Sequence, residues 1–133
     1  MKTTHIIVMV AIFLAVDAVV IGSLIAWMGS CLREIPAKFP FTPPLDGAVR
    51  REFQSFHIDL FGVGWGYHVE VDEDHLHLFP AKMERWLGIT PASIPWSAIR
   101  LESTGRWTCR VKIDKWNVTG PRWCLELAGK PRA

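Results

Sequence analysis

The chain has little net charge, few cysteines and no assembled catalytic motif, and each shortage removes a class of function. Its net charge is +2, too small to imply nucleic-acid binding by itself. Its three cysteines, Cys31, Cys109 and Cys124, are an odd number, which argues against a complete disulfide framework. No Ser/His/Asp or Cys/His nucleophile arrangement stands out. Cys109 reads as buried and inert, and Cys124 has no histidine supporting it in sequence. The chain therefore reads as non-enzymatic, and no cofactor is implied. Gly62-Val63-Gly64-Trp65-Gly66 has the wrong spacing for a nucleotide fingerprint, and no helix follows it. Its alternate glycines suit a bulge, a bend or a close-packed aromatic instead. Beyond the N-terminal segment there is no convincing amphipathic helix. The 133 residues leave room for one domain at most.

What the chain does have is apolar length at its N-terminus. Ile6 to Met28 is a run of 23 residues interrupted by Asp17, Gly22 and Ser23, with alanines between. As a helix it spans roughly 34 Å, enough to cross a ~30 Å hydrocarbon core. It lacks the polar stripe of a water-soluble helix. Thirteen of its residues are Ile, Leu, Val or Phe. These contribute roughly −4 to −8 kcal/mol to insertion, against about +3 for a central aspartate. Lys2 and Trp27 sit near the ends, where a snorkelling cation and an amphipathic ring belong. Asp17, at the midpoint, is read in two ways: a buried contact with another membrane protein, or a protonated aspartate tolerated on a lone helix. Ala11, Ala15, Ala18, Gly22 and Ala26 put small residues on one face, suited to helix packing and hence to a homo-oligomer or a membrane-protein partner. Asp17 lies off that face.

The run is longer than a signal peptide's apolar region, and Trp27-Met28 spoils a small-residue cleavage site. Met28-Gly29-Ser30-Cys31 nevertheless resembles the lipobox of bacterial lipoproteins, with Met28 where leucine is usual. The alternative is thus a cell-envelope lipoprotein lipidated at Cys31. Lys2 precedes the span, whereas Arg33 and Lys38 follow it closely, so the positive-inside rule points to a cytoplasmic C-terminal domain. The lipoprotein reading predicts the opposite side.

Three parts follow: a transmembrane anchor over residues 1–31, a proline-rich tether over 32–52, and a small β-rich domain over 53–133. Pro36, Pro40, Pro43 and Pro44 disfavour a helix in the tether and suggest a stiff spacer. After Glu52 the pattern alternates. Phe56, Ile58 and Leu60 form one set, Tyr67, Val69 and Val71 a second, and Leu76 and Leu78 a third. Pairing Val71 with Leu76 and Val69 with Leu78 gives a hairpin turning at Glu73-Asp74, without the favoured glycine. Further strands are expected at 93–102, 107–114 and 123–127. Cys109 should point inward and Cys124 outward, unbridged. The expected fold is one transmembrane helix followed by a small antiparallel domain of five or six strands, its thin stability margin offset by tryptophans, of which the chain has seven and the domain six.

In that register His77 faces Glu70 and His75 faces Asp72. His-x-His opposite carboxylates could bind zinc, although the alternation alone accounts for them as a solvated polar face. The C-terminal third is basic: Arg106, Arg110, Lys112, Lys115, Arg122, Lys130 and Arg132 could meet anionic headgroups, with Arg110, Lys112 and Arg122 the foremost. An ordinary charged sheet face is the competing reading. Asn117-Val118-Thr119 matches a glycosylation sequon, relevant in a eukaryotic secretory setting alone.

The hairpin His68–Leu78 followed by Ile94-Pro95-Trp96-Ser97-Ala98-Ile99 resembles small, uncharacterised bacterial membrane-anchored proteins with an IPW-S-x-I segment. More distantly, residues 56–128 resemble bacterial PH-like domains. In that motif Pro95 would start an edge strand, with Trp96 and Ile99 packing. The resemblance implies a PH-like partial barrel, association with a bacterial inner membrane, and no catalytic residue. The helix that usually closes the PH-like fold is not expected here. The reading is a single-pass membrane protein whose domain serves interaction or scaffolding, with the lipid bilayer as partner and no nucleic acid.

Overall fold

The computed structural model describes residues 2–130. A helix α1, Thr3–Lys38, leads into strands β1 (Val49–Ile58), β2 (Phe61–Val71) and β3 (His75–Pro80). A one-turn helix α2 (Lys82–Trp86) follows. Then come β4 (Ala92–Pro95), β5 (Ile99–Thr104), β6 (Thr108–Ile113), β7 (Trp116–Pro121) and a short helix α3 (Arg122–Leu125). All seven strands belong to one antiparallel sheet in the order β4-β3-β2-β1-β7-β6-β5, curved into a half-barrel. The strand count exceeds the five or six expected.

The hairpin β2–β3 has the expected register, with Val71 opposite Leu76, Val69 opposite Leu78 and Glu70 opposite His77. Its turn replaces glycine with a side chain. The Asp72 carboxylate accepts from the backbone N–H groups of Asp74 and His75, each at 2.8 Å. This Asx arrangement satisfies the turn without a left-handed residue. The turns β1–β2 and β6–β7 instead place Asp59 and Asp114 at φ of 51°, where aspartate is tolerated better than most residues.

Four expectations are corrected. First, α1 does not end at Met28. It runs on to Lys38 with Pro36 in its last turn, where few downstream ladder bonds remain to be lost. Second, the tether is not a free spacer. Leu32 and Ile35 lie in the domain core, and Pro40 bridges Ala92. Third, the strand expected at 93–102 is broken. Pro95 ends β4 rather than starting a strand, and Trp96–Ala98 form a 3-10 turn. Trp96 and Ile99 are buried, as expected. Trp96 ties this corner to the β2–β3 turn through Nε1–H to Asp72 O at 2.9 Å. Fourth, residues 123–127 are helical, and Cys124 is buried rather than outward. Strand β7 was not foreseen.

The core fills the concave side of the half-barrel. Ile58, Val69, Leu76, Ile94, Val111 and Trp116 converge there, with Leu32 and Ile35 of α1 packed among them. The void left between helix and sheet is about 10 Å³ and apolar, lined by Ile35, Phe56, Ile58 and Trp116 among others. A space that small and greasy stays dry.

Candidate functional site

Two features stand out where α1 meets the sheet. The first is the seat of the helix. Met28, Leu32 and Ile35 follow a spacing of four and three, so they share one face of α1, and together with Phe39, just past its end, they pack on the core. Around them, Arg33 Nη1 donates to Leu87 O at 2.7 Å. Glu34 pairs with Lys115 at 2.7 Å, and Lys38 with Asp114 at 2.9 Å. These ion pairs are exposed and screened by water, so they add little to stability. Their value is directional: they fix the rotation of α1 against the β6–β7 turn.

The second feature is a strap. Residues 39–48 do not extend from the helix but fold over the outer face of β3 and β4. Ser93 Oγ accepts from Thr42 N–H at 2.8 Å and donates to Thr42 O at 3.1 Å. Asp72 Oδ2 accepts from Leu45 N–H at 2.9 Å. Phe41 stacks edge-on against Phe79 and His77. Beneath the strap lies a continuous chain: Asp72 Oδ2 to His77 Nε2 at 2.7 Å, and His77 Nδ1 to Ser93 Oγ at 2.7 Å. The His77 side chain is fully buried, and that of Asp72 nearly so. An ionised carboxylate only accepts, so Nε2 carries a proton. Ser93 has a single hydroxyl proton: when it goes to Thr42 O, Nδ1 donates to Ser93 Oγ, and when it goes to Nδ1, the Thr42 O contact is not a donated bond. Burial acts to raise the Asp72 pKa, but the hydrogen bonds from Leu45, His77, His75 and Asp74 outweigh it. They hold the carboxyl well below the usual range.

Asp72, His77 and Ser93 are the residue types of a nucleophilic triad, and no motif marks them in sequence, because His77 and Ser93, 16 positions apart, meet only through the pairing of β3 with β4. Ser93 is buried, and its hydroxyl is already engaged by Thr42. The solvated-face reading is corrected for His77, which the strap covers, while His75 stays partly exposed. The metal reading is narrowed. Asp72, His75 and His77 do bring ligand atoms within 4.8 Å of one another. Glu70 is instead engaged by Arg50 at 3.4 Å. An ion would have to break the Asp72–His77 bond, whose two partners already satisfy each other.

The other expected residues are dispersed. Ala11, Ala15, Ala18 and Gly22 are exposed on α1, with Asp17 partly so, and none meets the domain. Trp27 packs edge-on against Phe61 with ring centroids 5.1 Å apart. Arg110 and Lys112 alternate on the outer face of β6. Arg122 lies at the other end of that strand from the α1 seat and pairs with Glu126 at 2.9 Å. Arg132 lies outside the described residues. Cys31 is partly buried, and among the described residues the three thiols are free. No protein-family model, curated protein or solved structure was found to match this chain.

Proposed function

We propose that this chain is a single-pass membrane protein that holds a PH-like β module at a fixed height and rotation over the bilayer, serving interaction or scaffolding rather than catalysis. One observation carries the reading: the helix that is long and apolar enough to cross a membrane continues unbroken into the core of the domain, where Leu32 and Ile35 are buried. A flexible tether would decouple the domain from the membrane, whereas a helix packed into the core makes them one body. The order of the seven strands supports a PH-like arrangement, with only a four-residue helix after β7. The burial of Ser93 and the completed bonds of His77 support a non-enzymatic role.

The test is membrane fractionation of the full-length chain, read together with its intact mass. Recovery in the carbonate-washed pellet at the unprocessed 15.1 kDa supports the reading. A chain shortened to begin at a lipidated Cys31, with labelling abolished by Cys31→Ser, would establish the lipoprotein instead. Recovery in the supernatant overturns both.

A further inference from the structure

The domain elements that touch α1 where it leaves the apolar run carry an unusual outer surface. Phe61, at the tip of the β1–β2 hairpin, packs on Trp27. Leu87, just after α2, lies against Gly29, and Gly88 lies against Arg33. Trp27 and Gly29 are two positions apart, so they point about 200° from each other around the helix. The hairpin tip and α2 thus reach α1 on different sides at nearly one height. Arg33 lies only about 7.5 Å along the axis beyond Met28. The headgroup layer on each side of a bilayer is roughly 5–8 Å thick. Both elements therefore sit at the depth of that layer.

Their exposed residues match that depth. Leu60 at the hairpin tip is 77% exposed, and Met83 and Trp86 on α2 are 72% and 83% exposed. Lys82 and Arg85 lie beside them and, with Met83 and Trp86, line an open concavity. Of the acids of the same two elements, Glu84 is turned away and Asp59 is exposed but hydrogen-bonded. Glu84 is buried over Gly66 and close enough to Tyr67 to raise its phenol further, after burial itself. Asp59 accepts from Asn117 N–H at 2.9 Å. Cations and large apolar groups face out, the α2 carboxylate faces in, and the exposed Asp59 carboxylate is engaged by the β7 backbone, a composition suited to a surface that enters anionic headgroups.

We propose that α2 and the β1–β2 tip form a second membrane contact. Trp86, Met83 and Leu60 would insert at the boundary of headgroups and acyl chains in the leaflet where α1 emerges, and Lys82 and Arg85 would meet anionic lipid. The proposal rests on α1 being a transmembrane span. The occupant is the bilayer because these elements are continuous with the point at which the span leaves it.

The test uses the full-length chain in nanodiscs containing phosphatidylglycerol and phosphatidylcholine brominated at a shallow acyl position. Bromine quenches tryptophan emission on contact. Wild type is compared with Trp27→Phe and Trp86→Phe; Trp86 is exposed, so its replacement leaves the core intact. Each variant should lose a bromine-quenched component. That of Trp86 should weaken at least twofold when phosphatidylglycerol is omitted or when K82E and R85E are combined. Loss at Trp27→Phe with none at Trp86→Phe overturns the second contact and leaves the span standing. Failure of both, or failure of the chain to enter the discs, overturns the span and the contact together. A Trp86 component indifferent to anionic lipid overturns the roles of Lys82 and Arg85.

Discussion

Asp72 closes a turn, holds the strap and orients His77 with one carboxylate. Removing it as Asp72→Ala leaves three backbone N–H groups and a buried imidazole without their acceptor. The expected cost is about 3–5 kcal/mol, read from chemical unfolding in detergent. The pH dependence has a definite sign. A carboxyl held below its ordinary value in the folded state contributes stability that is complete above the unfolded value of about 4. That contribution is lost as pH falls toward the folded value, so stability should decline on acidification below about pH 4. Asp72→Asn should flatten the decline, and an unchanged slope would show that other carboxyls govern it. The thiols differ as sharply. Burial, its largest cause, pushes the Cys124 pKa up to about 12, and Cys109 is 1% exposed. Maleimide should therefore label Cys31 alone in the native chain and all three cysteines after unfolding. Native labelling of Cys124 would contradict its burial. At this scale the Glu70–His77 register was legible from alternation, because hairpin pairing is local. Ser93 was not, because β3 and β4 pair across the α2 excursion rather than through a tight hairpin, and its other partner, Thr42, comes from a strap with no periodic signal.

Elements were legible in proportion to the regularity of their pattern. The β2–β3 hairpin and β6 followed period two closely. The end of α1 was obscured by two things: hydropathy stops at Met28, and Pro36 reads as a helix breaker. Yet Met28, Leu32 and Ile35 form an amphipathic stripe that continues past the apolar run, and a search for period 3.6 there would have carried the helix to its seat. Residues 123–127 alternate like a strand, but the segment holds no β-branched residue, which weakens a strand assignment. Strand β7 hid behind a two-residue turn at Asp114-Lys115. The close packing of β7 yields its own prediction. A Cβ on Gly120 would sit 2.6 Å from the Phe56 ring and 3.0 Å from Leu125 Cδ1. Both neighbours are buried and cannot swing aside. Gly120→Ala should cost about 1–3 kcal/mol by overpacking, measured as a lowered denaturation midpoint at unchanged slope. A midpoint equal to wild type would mean that β1 and β7 are looser than this geometry.

On the scale of the whole molecule, anchor, strap and sheet are one folding unit, and a boundary drawn at residue 53 cuts through it. The half-barrel has an open concave side and an outer face at β3 and β4 that bears Phe79, His77 and Ser93. Leu32 and Ile35 close the first, and Phe41 and Thr42 cover the second. Burying a leucine and an isoleucine contributes about 1.5–3 kcal/mol each. Losing the strap would also strand the Ser93 and His77 partners and expose aromatic surface. A domain this small has a total stability near the low end of about 5–15 kcal/mol. Truncation to residues 53–133 also removes the first four residues of β1. That fragment should therefore lack a cooperative melt and show poorly dispersed amide resonances. A fragment beginning at Gly29 keeps the seat and the strap while losing the apolar run, and it should melt cooperatively in water. If residues 53–133 alone melted within a few degrees of the longer fragment, the sheet would be self-sufficient. The helix would then be a tether after all, and the fixed geometry over the bilayer would lose its physical basis.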